Sequence, residues 1–89
     1  MTCYRIYTEH TSRGSIDRIC NKYLDCYTVI ETSGVWQGTS EKSLIIEIIT
    51  GTDLTEQINI NKVCKEIKRV NNQDAVLLTC HSLDTFKLV

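Results

Sequence analysis

The chain has 89 residues, of which 42% are hydrophobic and 24% charged, and it contains no proline. That length holds one domain with no room for a second core, and the composition excludes a disordered chain, which needs low hydrophobicity or strong net charge. Ten basic residues against eleven acidic ones leave a net charge of −1, so the basic excess of a duplex nucleic-acid binder is missing.

"TCYRIYTE", Thr2 to Glu9, is rich in β-branched and aromatic residues and predicts a strand with Tyr4, Ile6 and Thr8 on one face and Cys3, Arg5 and Tyr7 on the other. "HTSRGS" breaks that alternation. A helical period follows, with Ile16, Ile19, Cys20, Tyr23 and Leu24 in one apolar stripe and Ser12 or Ser15 as its N-cap. "CYTVIETSG", Cys26 to Gly34, returns to strand chemistry, with Tyr27, Val29 and Glu31 opposite Thr28, Ile30 and Thr32.

A turn-like stretch, "SGVWQGTSEKS", then holds the only tryptophan, Trp36, with Gly34 and Gly38 two positions either side. Both glycines are expected to permit positive φ and a tight, bulged turn that aims the indole. Trp36 has three readings: packing on its own sheet, packing into a neighbouring subunit, or walling a ligand pocket where its flat face stacks on a ring. "KSLIIEIIT", Lys42 to Thr50, packs four isoleucines and a leucine around Glu47 and predicts a central strand.

"GTDLTEQ" announces a second helix, with Asp53 and Glu56 at capping-box spacing. Leu54, Ile58, Val63, Cys64, Ile67 and Val70 form its predicted stripe, with Ile60 off the centre. Lys62, Lys65, Lys68 and Arg69 are the chain's only basic cluster and suit the negative end of the helix dipole. "NNQD" ends the helix, "AVLLTCHSL" (Ala75 to Leu83) predicts a long strand, and "TFKLV" (Thr85 to Val89) a short terminal one.

The order βαββαβ matches the split-βαβ, ferredoxin-like arrangement: an α+β fold with a four-stranded antiparallel sheet and two helices on one face, in a single domain over residues 1–89. Each helix offers one apolar stripe, so the other sheet face stays uncovered and is expected to meet a sister subunit.

Five cysteines, Cys3, Cys20, Cys26, Cys64 and Cys80, form no CxxC pair. "MTCYRIYTEH" has no basic or apolar signal region, and no apolar run spans a bilayer. The expectation is a cytoplasmic protein with reduced cysteines and no membrane partner. Cys80 and His81 are adjacent strand residues, which point to opposite faces and form no catalytic dyad. His10 and His81 are the only histidines and lack metal-ligand spacing, so no metal and no cofactor are expected. Arg5 beside Tyr7 fits an anionic or nucleotide-like ligand, and equally an ion pair with Glu31 or Glu47 of neighbouring strands.

The element order, with "GVWQGTSEKSLIIEII" at its centre, resembles the PII signalling proteins and the related CutA-type proteins, which show a similar Trp-Gly hairpin leading into an Ile/Leu-rich strand. The resemblance implies a homo-oligomer, a trimer, with small-molecule sites in clefts between subunits. Carried onto this chain, those clefts draw on positions 34–41, 71–74 and 79–83. The hairpin is far shorter than a PII T-loop and has no Tyr, and "NNQD" lacks the Gly and basic residues that cradle phosphates, which argues against nucleotide sensing in the PII manner. Compact PII-like proteins also occur in phage genomes, where sequestering a host nucleotide signal is a suitable role. The resulting expectation is a non-catalytic binding protein. Trp36 and Tyr7 stack on the ligand, Arg5 and Lys42 pair with its charge, and the Gln37–Gly38 backbone and Asn72 hydrogen-bond to it. A protein-interaction module acting through the hairpin and a CutA-like divalent-metal binder are the alternatives.

Overall fold

The alternation in Thr2–Glu9 forms strand β1, whose Tyr4, Ile6 and Thr8 are buried while Arg5 and Tyr7 are half-buried on the other face. In this computed structural model, which describes residues 1–9, 12–51 and 53–89, β1 is followed by α1 (Arg13–Tyr23), β2 (Thr28–Trp36), β3 (Thr39–Thr50), α2 (Leu54–Val70) and β4 (Leu77–Ser82). The sheet order is β2-β3-β1-β4, and every neighbouring pair is antiparallel. This is the ferredoxin-like α+β fold read from the sequence. β1 and β3 lie in the centre, as expected of the Ile-rich strand.

Ser12 is the N-cap of α1: its hydroxyl accepts from the Ser15 amide at 3.3 Å, taking one of the free donors of the first turn. Asp53 caps α2 by accepting from the Thr55 amide at 2.9 Å. The α1 stripe is as read, with Ile16, Ile19, Cys20 and Leu24 buried and Tyr23 partly so.

The α2 stripe is different. Ile60, Val63 and Ile67 are fully buried, whereas Leu54 is 68% exposed and Ile58 46%. At about 100° per residue, Ile60 lies within about 60° of Val63 and Ile67, and Leu54 and Ile58 project to the opposite side. The two helix stripes close over Tyr4, Ile6, Leu44, Ile46 and Ile48, so both helices cover the same sheet face. Each fully buried Ile or Leu there contributes on the order of 1.5–3 kcal/mol.

Four boundaries depart from expectation. β2 starts at Thr28 and runs on to Trp36, and β3 begins already at Thr39. The hairpin is therefore a two-residue turn, with Gln37 at φ 50° and Gly38 at φ 80°, the pair of positive angles that suits the strand twist. Gly34 lies inside β2 opposite Glu41 and has no positive φ. β4 starts only at Leu77, because Ala75 belongs to the return loop, where its carbonyl accepts from Gln73 Nε2 at 3.4 Å. Thr85–Val89 forms no strand: β4 already occupies the free edge of β1, and the last backbone tie is Leu83 N–H to the Met1 carbonyl at 2.9 Å.

Candidate functional site

Residues paired across an antiparallel ladder share a face, so the register defines the uncovered side of the sheet. Along β1 it carries Cys3, Arg5 and Tyr7, which pair on one side with Ile49, Glu47 and Ile45 of β3. On the other side they pair with His81, Thr79 and Leu77 of β4. Beyond β3 come Thr28, Ile30 and Thr32 of β2, and finally Trp36 beside Thr39. Ile30, Ile49, Leu77 and Trp36 are all exposed, so this face is apolar around a polar centre.

That centre is Arg5. Its Nε donates to Glu47 Oε2 at 2.9 Å, an ion pair whose side chains are 42% and 22% exposed. The Glu47 carboxylate, then the Tyr7 hydroxyl, hold the guanidinium protonated still more firmly than usual. The lone Glu in "LIIEIIT" was legible as a break in an apolar strand and as a possible salt-bridge partner. Its place in the candidate site follows from the register. Glu31, the other partner considered, points to the helix side and meets Arg13 Nη1 at 3.4 Å.

Trp36 is 68% exposed on the same face as Arg5 and Tyr7, so it is not packed down on its own sheet. Its partner Thr39 precedes Ile45, the partner of Tyr7, by six residues of β3, which is about 20 Å of strand. One small ligand cannot touch both within a single copy. The expected site residues therefore fall into two half-sites: Arg5 and Tyr7 with Glu47 in the middle of the sheet, and Trp36 with the Gln37–Gly38 turn at the hairpin tip.

Lys42 and Asn72 belong to neither half. Lys42 pairs with Ser33 on the helix side of the sheet, the side of Leu44 and Thr8. Asn72, at φ 52°, lies in the turn after α2. That turn is fastened to the end of β1: the Thr8 hydroxyl donates to Gln73 Oε1 at 2.6 Å, and Asn71 Nδ2 donates to Thr8 Oγ1 at 3.2 Å. Lys42 and Asn72 thus share the hairpin end of the molecule with Trp36 but not its face. The Thr8–Gln73 tie was missed in the sequence, since neither residue type in its local pattern signals a partner 65 positions away.

A shallow hollow of about 200 Å³ opens on the uncovered face beside β2, lined by Cys26, Tyr27, Thr28, Glu47 and Ile49. Glu47 therefore faces both Arg5 and this hollow. Cys80 pairs with Tyr4 and His81 with Cys3, which puts the two on opposite faces as expected. Among the described residues no group of three or more His, Cys, Asp or Glu side chains is placed to hold a metal ion. His10, considered as a ligand with His81, lies outside the described residues. No helix among those residues is long and apolar enough to cross a membrane.

No family model matches the chain, and neither does any curated protein. Solved structures do. A phage SAM lyase in complex with S-methyl-5'-thioadenosine superposes with a TM-score of 0.72 at 17% identity, over 90% of this chain and 79% of that one. The apo state of a phage SAM lyase gives 0.67 at 19% identity, over 90% and 78%. CPII, a nitrogen regulatory PII-like protein from Thiomonas intermedia K12 bound to ADP, AMP and bicarbonate, gives 0.65 at 9% identity, over 99% and 94%. At such identities the likeness is one of fold, and the fold is the ferredoxin-like βαββαβ arrangement that this chain shares with a PII-like protein and a phage SAM lyase.

Proposed function

We propose that the chain binds an adenine-nucleoside-type small molecule at a seam where the uncovered sheet faces of two copies meet. The observation that carries this reading is the division of the candidate site. Tyr7 and Arg5 share a face with Trp36 yet stand about 20 Å and about 26 Å from it along the strand, so only a second copy brings an indole over the Arg5 centre. Both kinds of fold neighbour were solved with adenine-bearing molecules, S-methyl-5'-thioadenosine in one and ADP and AMP in the other. In this assembly Trp36 stacks on the flat base, and Arg5 and Tyr7 hold the polar end of the ligand. The ligand is held and not turned over, the stoichiometric mode of a sequestering protein.

Because Trp36 is the only tryptophan, its fluorescence reports binding directly. Titration with SAM, S-methyl-5'-thioadenosine, AMP and ADP is expected to give saturable quenching by at least one of them. Arg5→Ala and Trp36→Ala each abolish binding measured by calorimetry. Mixing the two inactive variants restores part of it, since some seams then pair an intact Arg5 from one copy with an intact Trp36 from the other. Loss in both variants without recovery on mixing would rule out a shared seam.

A second reading, turnover of such a ligand, is favoured by Glu47, a carboxylate that lines the hollow on the uncovered face and is able to hold a cation or accept a proton. Incubation with SAM followed by chromatography decides between the two. Accumulating S-methyl-5'-thioadenosine that disappears in Glu47→Gln establishes turnover, and unchanged SAM leaves binding alone.

A further inference from the structure

The outward side of α2 is divided into two unlike halves. Leu54 and Ile58 are exposed at its N-terminal end, and Lys62, Lys65, Lys68 and Arg69 are exposed along the rest. At about 100° per residue all six fall within an arc of about 120° centred opposite the buried Ile60, Val63 and Ile67. No acidic residue lies in that arc. Glu56 turns toward the core side, and Glu66 sits on the flank, where Lys22 Nζ meets it at 3.0 Å and the Tyr23 hydroxyl donates to it at 2.6 Å.

Among the described residues none of the four cations forms an ion pair. Lys62 has only the Tyr23 ring, 6.0 Å from its Nζ, and Arg69 feels Glu66 only through space. With a net charge of −1 for the whole chain, the remainder of the molecule is acidic, and four of the ten Lys and Arg residues are gathered on this ridge. Beside it is a hollow of about 180 Å³ lined by Lys65 and Lys68 together with Cys64, Ala75 and Val76. The helix dipole accounts for cations in the last turn. It does not account for Lys62, two turns earlier, or for two exposed aliphatic side chains in line with it.

We propose that this face of α2 is a docking surface for an acidic segment of a partner protein that carries an apolar anchor at one end. Charge complementarity selects the occupant. A duplex rewards a continuous cationic track and gains nothing from Leu54 and Ile58. A helix lying in a membrane interface needs an apolar face along its whole length, which the ridge lacks. An acidic amphipathic helix matches both halves: its apolar residues cover Leu54 and Ile58, and its carboxylates meet the lysines and enter the hollow. The surface lies on the opposite side of the molecule from the uncovered sheet face, so it is independent of the nucleoside reading.

The probe is a fluorescein-labelled synthetic helical peptide with two leucines near one end and glutamates along the rest of that face. Anisotropy titrations are expected to show saturable binding that weakens as salt is raised. The pair Lys65→Glu with Arg69→Glu, and separately the pair Leu54→Ser with Ile58→Ser, each weaken it by about tenfold or more. Circular dichroism of both variants stays native, because all four side chains are exposed. Affinity unchanged in either variant overturns the proposal. So does equal binding of the peptide with its leucines replaced by serine, and so does tighter binding to phosphatidylserine vesicles or to a DNA duplex than to the peptide.

Discussion

At Gly38 the backbone sits at φ 80° with nothing within 4 Å of where a Cβ would be, so the cost of a side chain there is conformational and not steric crowding by neighbours. Gly38→Ala is expected to destabilise the protein by about 1 kcal/mol, read by urea denaturation. Glu66 offers a pH-dependent counterpart. The hydroxyl of Tyr23, then the ammonium of Lys22, hold its carboxyl below the usual range. A carboxyl lowered in the folded state contributes stability above its unfolded pKa, and that contribution is lost as pH falls through the folded one. Stability measured from neutral pH down through the carboxylate range should therefore fall less steeply in Glu66→Gln than in the native protein. Equal slopes would remove Glu66 from the acid response. Of these features, Gly38 was visible in the sequence as a turn glycine. Gly34 looked identical and proved to be an ordinary strand residue, because a glycine's letter does not state its φ.

The elements show where periodicity serves and where it misleads. Strand alternation in β1 and the α1 stripe were legible, since each has a regular period, though Cys3 at the start of β1 is buried on the opposite face. In α2 apolar residues fall on both sides of the helix, and the choice between Ile58 and Ile60 depends on where the sheet lies. Ile60→Ala should cost about 2–5 kcal/mol as a cavity in the core, while Ile58→Ala stays within about 0.5 kcal/mol. Thermal melts of the two variants decide between the alternatives, and a costly Ile58→Ala would put the stripe back where the sequence pattern had it. Alternation also failed at Thr85–Val89, which pairs with neither of the sheet's edge strands, β2 and β4, because pattern alone does not state a pairing partner.

For the whole molecule, the uncovered sheet face was anticipated from stripe counting, but the separation of Trp36 from Arg5 was not, because distance along a strand emerges only from the register. If copies meet on this face, replacing Ile30 and Leu77 together by Glu should reduce the solution mass to that of one chain without loss of secondary structure. An unchanged oligomer seen by light scattering would move the seam elsewhere.

The outer edge of that sheet has a consequence for handling the protein. β2, "TVIETSGVW", is an edge strand with no proline and no lysine, and Glu31 is its single charge. Proteins blunt such edges with charge, because the free backbone groups are a template for another chain. Here Arg13 reaches across from α1 and neutralises Glu31 at 3.4 Å. The same bridge that pins helix to strand thus disarms the one gatekeeper on the edge. Concentrated solutions are expected to lose protein by strand-on-strand growth from β2, and a lysine at Val35, exposed and on the face away from the seam, is the remedy that the fold itself suggests.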